Sequence, residues 1–105
     1  MKDFVRETIY KYNTSNPFEV ARLLNILVIA EPLGKVASYF SPALIHVNSE
    51  LPEYSQRFAV ACQIYHVLTN GTGFNFIINN QLDFSNESVQ FGTQFLMAIG
   101  YAKTS

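Results

Sequence analysis

Phe58-Ala59-Val60-Ala61-Cys62-Gln63-Ile64-Tyr65-His66-Val67-Leu68 is an eleven-residue run in which only Gln63 and His66 are polar. It is too long for an ordinary strand and carries no apolar/polar alternation, so it reads as a helix that is apolar on every side. Such a helix belongs at the centre of a domain, covered all round by the rest of the chain. Its ends are marked. Pro52 and Glu53 supply a residue suited to the first helical position and a carboxylate at the positive end of the helix dipole. Asn70-Gly71 supplies the stop.

Outward from this helix, three short strand signals precede it. Ile26 to Ala30 is a β-rich apolar run closed by Glu31-Pro32, Val36 to Phe40 follows Gly34, and Ala43 to Asn48 follows Pro42. The short turn-like links between them predict a small antiparallel sheet or meander. Two helices come before the strands. Residues 3 to 12 place Phe4, Val5, Thr8, Ile9 and Tyr12 on one stripe, opposite Lys2, Arg6 and Lys11. Asn16-Pro17-Phe18-Glu19 is an N-cap, a first-position proline and a carboxylate placed for a capping box, opening a second helix that ends near Asn25. After the central helix, Gly71 to Asn80 is a Gly/Asn-rich loop around Phe74, Phe76, Ile77 and Ile78. Those four residues either pack down as a lid or present a short edge strand and an apolar patch to a partner. A last helix runs from Ser85 or Asn86 to Ile99, with Phe91, Phe95, Leu96 and Ile99 on one face. The expected order is α-α-β-β-β-α-α: an α+β fold, with a three-stranded sheet packed on a central buried helix.

Bulk properties narrow the function classes. The 105 residues make one domain, 1–105, without repeat or linker. At 49% hydrophobic and 14% charged, the chain has the apolar content for a core that a disordered segment lacks. Seven Lys+Arg against eight Asp+Glu give a net charge of −1, which is no footprint for direct nucleic-acid binding. One cysteine makes no internal disulfide, no apolar stretch reaches a membrane span, and the start lacks a signal peptide's apolar run. The expectation is a cytoplasmic protein with no membrane partner.

Chemistry concentrates in the central helix. Cys62 and His66 are four apart, which sets both side chains on one helical face. A thiolate and an imidazole in that spacing are competent to grip one metal ion from consecutive turns. Gln63 lies beside that face. Each has a plainer reading: Cys62 as a small buried filler, His66 as a buried neutral imidazole bonded to a neighbour such as Glu87, and Gln63 as a buried amide tying the helix to the third strand. A third possibility makes Cys62 a nucleophile with His66 as its base. His46 reads as a strand residue on the outer face, and Phe58, Tyr65, Phe91 and Phe95 as core.

The stretch Gln56 to Leu68 resembles the active-site helix of the ImmA/IrrE-type metallopeptidases, which typically reads Arg-Phe-Thr-x-Ala-His-Glu-Leu-Gly-His. Asn16-Pro17-Phe18-Glu19-Val20-Ala21 with Leu24-Asn25-Ile26 is similar to the family's opening. Ala43 to Asn48 with Leu51-Pro52 is similar to the strand that leads into the metal helix. Glu87-Ser88-Val89-Gln90-Phe91-Gly92 with Phe95-Leu96-Met97 is similar to the closing helix that supplies the third ligand. The likeness spans residues 13 to 98 and implies a small zincin-like fold.

The departures fall on the chemistry. The family's His-Glu-x-x-His becomes Cys62-Gln63-Ile64-Tyr65-His66, so the first ligand is replaced by Cys62 and the general base by Gln63. Tyr65 stands for the family's glycine, Val89 for its asparagine, and Ala98 for the proline expected after Met97. What remains as an implied zinc set is Cys62, His66 and Glu87. The resemblance therefore implies a degenerate metallopeptidase-like protein of phage or mobile-element type, expected to need no cofactor and to act by binding a protein partner. That partner is a transcriptional repressor or a host protein. An active zinc endopeptidase that cleaves a repressor, and a thiol-dependent hydrolase, are the alternatives.

Overall fold

The computed structural model describes residues 1–41, 43–69, 75–78 and 86–98. Four helices and four strands follow in the order α1 (Lys2–Tyr12), α2 (Pro17–Leu23), β1 (Leu27–Glu31), β2 (Val36–Ser41), β3 (Leu44–Asn48), α3 (Glu53–Leu68), β4 (Asn75–Ile78) and α4 (Glu87–Met97). The protein is a mixed α+β domain.

Local chemistry accounts for most boundaries. Asn13, at φ 55°, takes the left-handed conformation that ends α1. The Asn16 side chain accepts from the Phe18 N–H at 3.0 Å and Pro17 opens α2, as expected. The capping box does not form. The Asn16 N–H donates to Thr14 Oγ1 at 3.0 Å, and Glu19 instead pairs with Arg22 one turn on, which draws its carboxyl below the ordinary range. Asn86 caps α4 by accepting from the Ser88 N–H at 2.9 Å, so this helix starts at Glu87. Pro52 is the N-cap of α3, one position before the first helical residue.

The sheet departs from a three-stranded meander. It has four strands in the order β1-β3-β2-β4. β1 runs parallel to β3, with Ile29 opposite His46, while β2 is antiparallel to both β3 and β4. β1 and β2 are not neighbours in this order, so the expected β1–β2 hairpin does not form. Residues 32–35 instead cross the end of β3, where Asn48 organises them. The Asn48 amide donates to the Gly34 and Val36 carbonyls, both at 3.0 Å, and its oxygen accepts from the Glu50 N–H at 3.0 Å. This asparagine is 1% exposed, so those bonds offset the loss of water. Ala43, at φ 67°, makes the tight β2–β3 turn in a conformation that L-residues adopt at a cost.

The Gly71–Asn80 stretch contributes β4, an added strand. Ile77 pairs with Ser38 and is 6% exposed, so it belongs to the core rather than to an apolar patch offered to a partner. Ser38 faces α3, and its antiparallel partner must face the same way. Ile78 is half-buried; Phe74 and the Phe76 side chain lie outside the described residues.

Helix α3 crosses the sheet against β2, β3 and β4, with α2 and α4 on its flanks. Ala59, Val60, Ala61, Cys62, Gln63 and Ile64 are all inaccessible to solvent, as the run of apolar residues implies. They meet Ile45 and Val47 from β3, Phe40 from β2, Val20 and Ala21 from α2, and Phe91 and Phe95 from α4. Phe91 lies at the middle of an aromatic cluster, with ring centroids 5.6 Å from Phe4, 5.6 Å from Tyr65 and 5.4 Å from Phe95. No helix among the described residues is long and apolar enough to cross a membrane.

Candidate functional site

Successive residues of α3 point in different directions, and that separates the side chains the sequence singles out. Gln63 faces the sheet. Its Nε2 donates to Ser38 Oγ at 3.0 Å, and that hydroxyl donates on to the Ala59 carbonyl at 3.0 Å. The amide thus ties α3 to β2, the strand antiparallel to β3, rather than to β3 itself. At 0% exposure Gln63, which the resemblance aligns with the general base, is enclosed in the domain interior.

Cys62 faces α4. A methyl group added at Gly92 would lie 2.8 Å from Cys62 Sγ, so the two helices approach here only because position 92 has no side chain. The thiol is 0% exposed, and burial pushes its pKa up to about 12. Both the burial and the raised pKa favour the protonated thiol in the metal-free protein. A nucleophilic thiolate requires the opposite environment.

His66, one turn on, is half-buried. Desolvation lowers its pKa, which favours the neutral imidazole, and its ring sits edge-on to Tyr65 at 5.9 Å. Glu87 is exposed in the first turn of α4, where a carboxylate complements the dipole. Its Oε2 accepts a hydrogen bond from the Tyr65 hydroxyl, which raises the Tyr65 pKa. The histidine–Glu87 contact suggested by the sequence is thus a Tyr65–Glu87 contact.

These positions test whether the zinc implied by the resemblance fits. Cys62 is enclosed against Gly92, while Glu87 is exposed on α4 and accepts from the Tyr65 hydroxyl. Among the described residues, no three of His, Cys, Asp and Glu lie close enough together to share a metal ion. The donor set does not fit zinc.

One polar cluster escaped the sequence reading. On the sheet face opposite Ile45 and Val47, His46 Nδ1 lies 2.8 Å from Glu31 Oε1, and the imidazole stacks on Tyr39 with centroids 4.2 Å apart and planes within 6°. The outward placement of His46 is as expected. Its partners come from two other strands, and only the β1-β3-β2 order places them beside it.

Comparison with known proteins agrees with this frame. The family profile described as the IrrE N-terminal-like domain matches residues 21–98, from α2 to the end of α4. No curated protein and no solved structure matches the chain. With three quarters of its length under that profile, and with the central helix, the strand before it and the closing helix in the expected order, the chain belongs to the IrrE N-terminal-like domain family of metallopeptidase-like proteins.

Proposed function

We propose that this family member is catalytically silent and acts by binding a protein partner, a helix-turn-helix repressor or a host factor, in the cytoplasm of a cell carrying a phage or mobile element. The observation that carries the reading is Gln63: an amide at the general-base position, enclosed and hydrogen-bonded to Ser38. Metallopeptidase chemistry needs a group beside the metal-bound water that takes its proton and hands it to the leaving amine. An amide donates and accepts hydrogen bonds but does not take that proton, and general-base catalysis is worth roughly 10²–10⁴-fold. The buried protonated thiol of Cys62 argues equally against a thiol-dependent hydrolase.

Contact with a partner requires none of this chemistry. Isothermal titration of the protein with purified helix-turn-helix repressors encoded next to its gene tests the reading. Saturable binding of the same affinity in chelator and in zinc is expected. Binding that appears only with zinc would contradict it, and no binding to any of them would contradict a repressor as the partner.

A further inference from the structure

We propose that the seam between α3 and α4 is closed by a metal-free clasp, in which the Tyr65 hydroxyl bonded to Glu87 and the Cys62 sulfur seated on Gly92 bridge the two helices that a zinc ion would otherwise cross-link. The inference goes beyond partner binding and does not depend on it. In a peptidase of this layout, ligands from the central helix and the closing helix meet on one ion, and that ion ties the helices together. Here the same two helices are tied at the same turns by other means.

Two contacts make the clasp, and they sit one turn apart on α3. At the inner end, Sγ of Cys62 occupies the space left by the missing side chain of Gly92, with the Phe58 ring 3.2 Å from where a Cβ would stand. At the outer end, Tyr65 crosses to α4 and donates to Glu87. Its ring fills the gap between them, 5.6 Å from Phe91 and 5.8 Å from Phe4 of α1. The residue that replaces the family's glycine therefore engages the one carboxylate that matches a third-ligand position. Rebuilding a metal site would require bringing the enclosed Cys62 sulfur and the exposed Glu87 carboxylate, each held by its own contact across the seam, to one ion. The pairing of two of the three candidate ligands, Cys62 and Glu87, with residues across one seam is what sets the clasp against a metal site.

The test uses the full chain, purified without a metal-affinity tag, and reads thermal unfolding by far-UV circular dichroism together with elemental zinc. Tyr65→Phe keeps the ring and removes only the donor, so the variant retains its packing. The expected result is zinc far below one per chain and the same Tm in chelator as with one equivalent of zinc. Tyr65→Phe should lower Tm by about 2–6 °C in the wild type and by almost nothing in a Glu87→Ala background. One zinc per chain, or a Tm that falls in chelator, would overturn the clasp. So would a Tyr65→Phe effect that is absent, or equally large with and without Glu87.

Discussion

Gly92→Ala is the substitution whose sign the packing of α3 on α4 inverts. In an exposed helix interior, replacing glycine by alanine stabilises by about 1 kcal/mol, because glycine loses more backbone freedom on folding. At position 92 the new methyl group would stand 2.8 Å from Cys62 Sγ, and 3.2 and 3.3 Å from two carbons of the Phe58 ring. A carbon and a sulfur rest near 3.7 Å apart, so the pair must separate by roughly an ångström in an interior packed to crystal-like density. Overpacking of this kind costs roughly 1–3 kcal/mol, and the closeness of the sulfur contact places this case in the upper part of that range. Set against the helix gain, the net loss is about 1–2 kcal/mol, or a fall in Tm of about 5–15 °C for a chain of this size. The assay is urea unfolding followed by far-UV circular dichroism, run as a double-mutant cycle with Cys62→Ala. That partner change removes the sulfur and costs about 1–2 kcal/mol by itself. In its background only the Phe58 contacts remain, and Gly92→Ala should become neutral or stabilising, a coupling of roughly 1–2 kcal/mol. A variant as stable as wild type, or an equal loss in both backgrounds, would refute the packing argument and the inner half of the clasp.

Three further outcomes follow from the same geometry. Gln63→Glu restores the family's carboxylate in a site with 0% exposure, where burial raises its pKa above the unfolded value of about 4.3. The penalty is then absent below that value and grows as pH rises, reaching about 3 kcal/mol or more by pH 8; urea midpoints that match wild type at both pH 5 and pH 8 would contradict the enclosure. Cys62, with its pKa near 12, holds about one thiolate in 10⁴ at pH 8, so a disulfide reagent should label it more than about 10³-fold slower in the native protein than in urea. Complete labelling of the native protein within minutes would show an accessible thiol. Asn16→Ala removes the cap of α2 and should cost about 1 kcal/mol, while Asn16→Asp should stay within a few tenths of wild type; equal Tm for all three would mean that the cap carries no stability.

The elements legible in the sequence are those set by local chemistry. The apolar run from Phe58 to Leu68 is enough to place α3 at the centre, and Asn16-Pro17 and Asn86 act on their own helices, so α2 and α4 begin where short-range signals put them. Sheet order is a long-range property. Nothing local in Leu27–Glu31 distinguishes a parallel partner in β3 from a hairpin partner in β2, and the deciding residue is Asn48, which holds the 32–35 crossing. β4 was ambiguous because Phe76-Ile77-Ile78 is a short apolar run that suits a lid as well as a strand; the pairing of Ile77 with Ser38 resolves it.

The site divides in the same way. The Cys-Gln-x-x-His spelling that the resemblance sets against His-Glu-x-x-His is readable from the sequence alone. Where those side chains go is not, because the i, i+4 rule places Cys62 and His66 on one face without saying what that face meets. Gly92 and Ser38 decide it, and they lie 30 and 25 residues away from Cys62 and Gln63. The Tyr65–Glu87 bond is equally remote, spanning 22 residues, and neither end carries a local signal. The Glu31–His46–Tyr39 cluster needs three strands in a given order before its members touch.

The central claim is that this family member retains the metallopeptidase frame without its chemistry. The most direct measurement is the intact mass of a neighbouring repressor after prolonged incubation with the protein in zinc-supplemented buffer, beside a chelator control. The account predicts a repressor of unchanged mass in both. Fragments that form with zinc and vanish with chelator would contradict it, and would require Gln63, Cys62 and the clasp to be read again from the beginning.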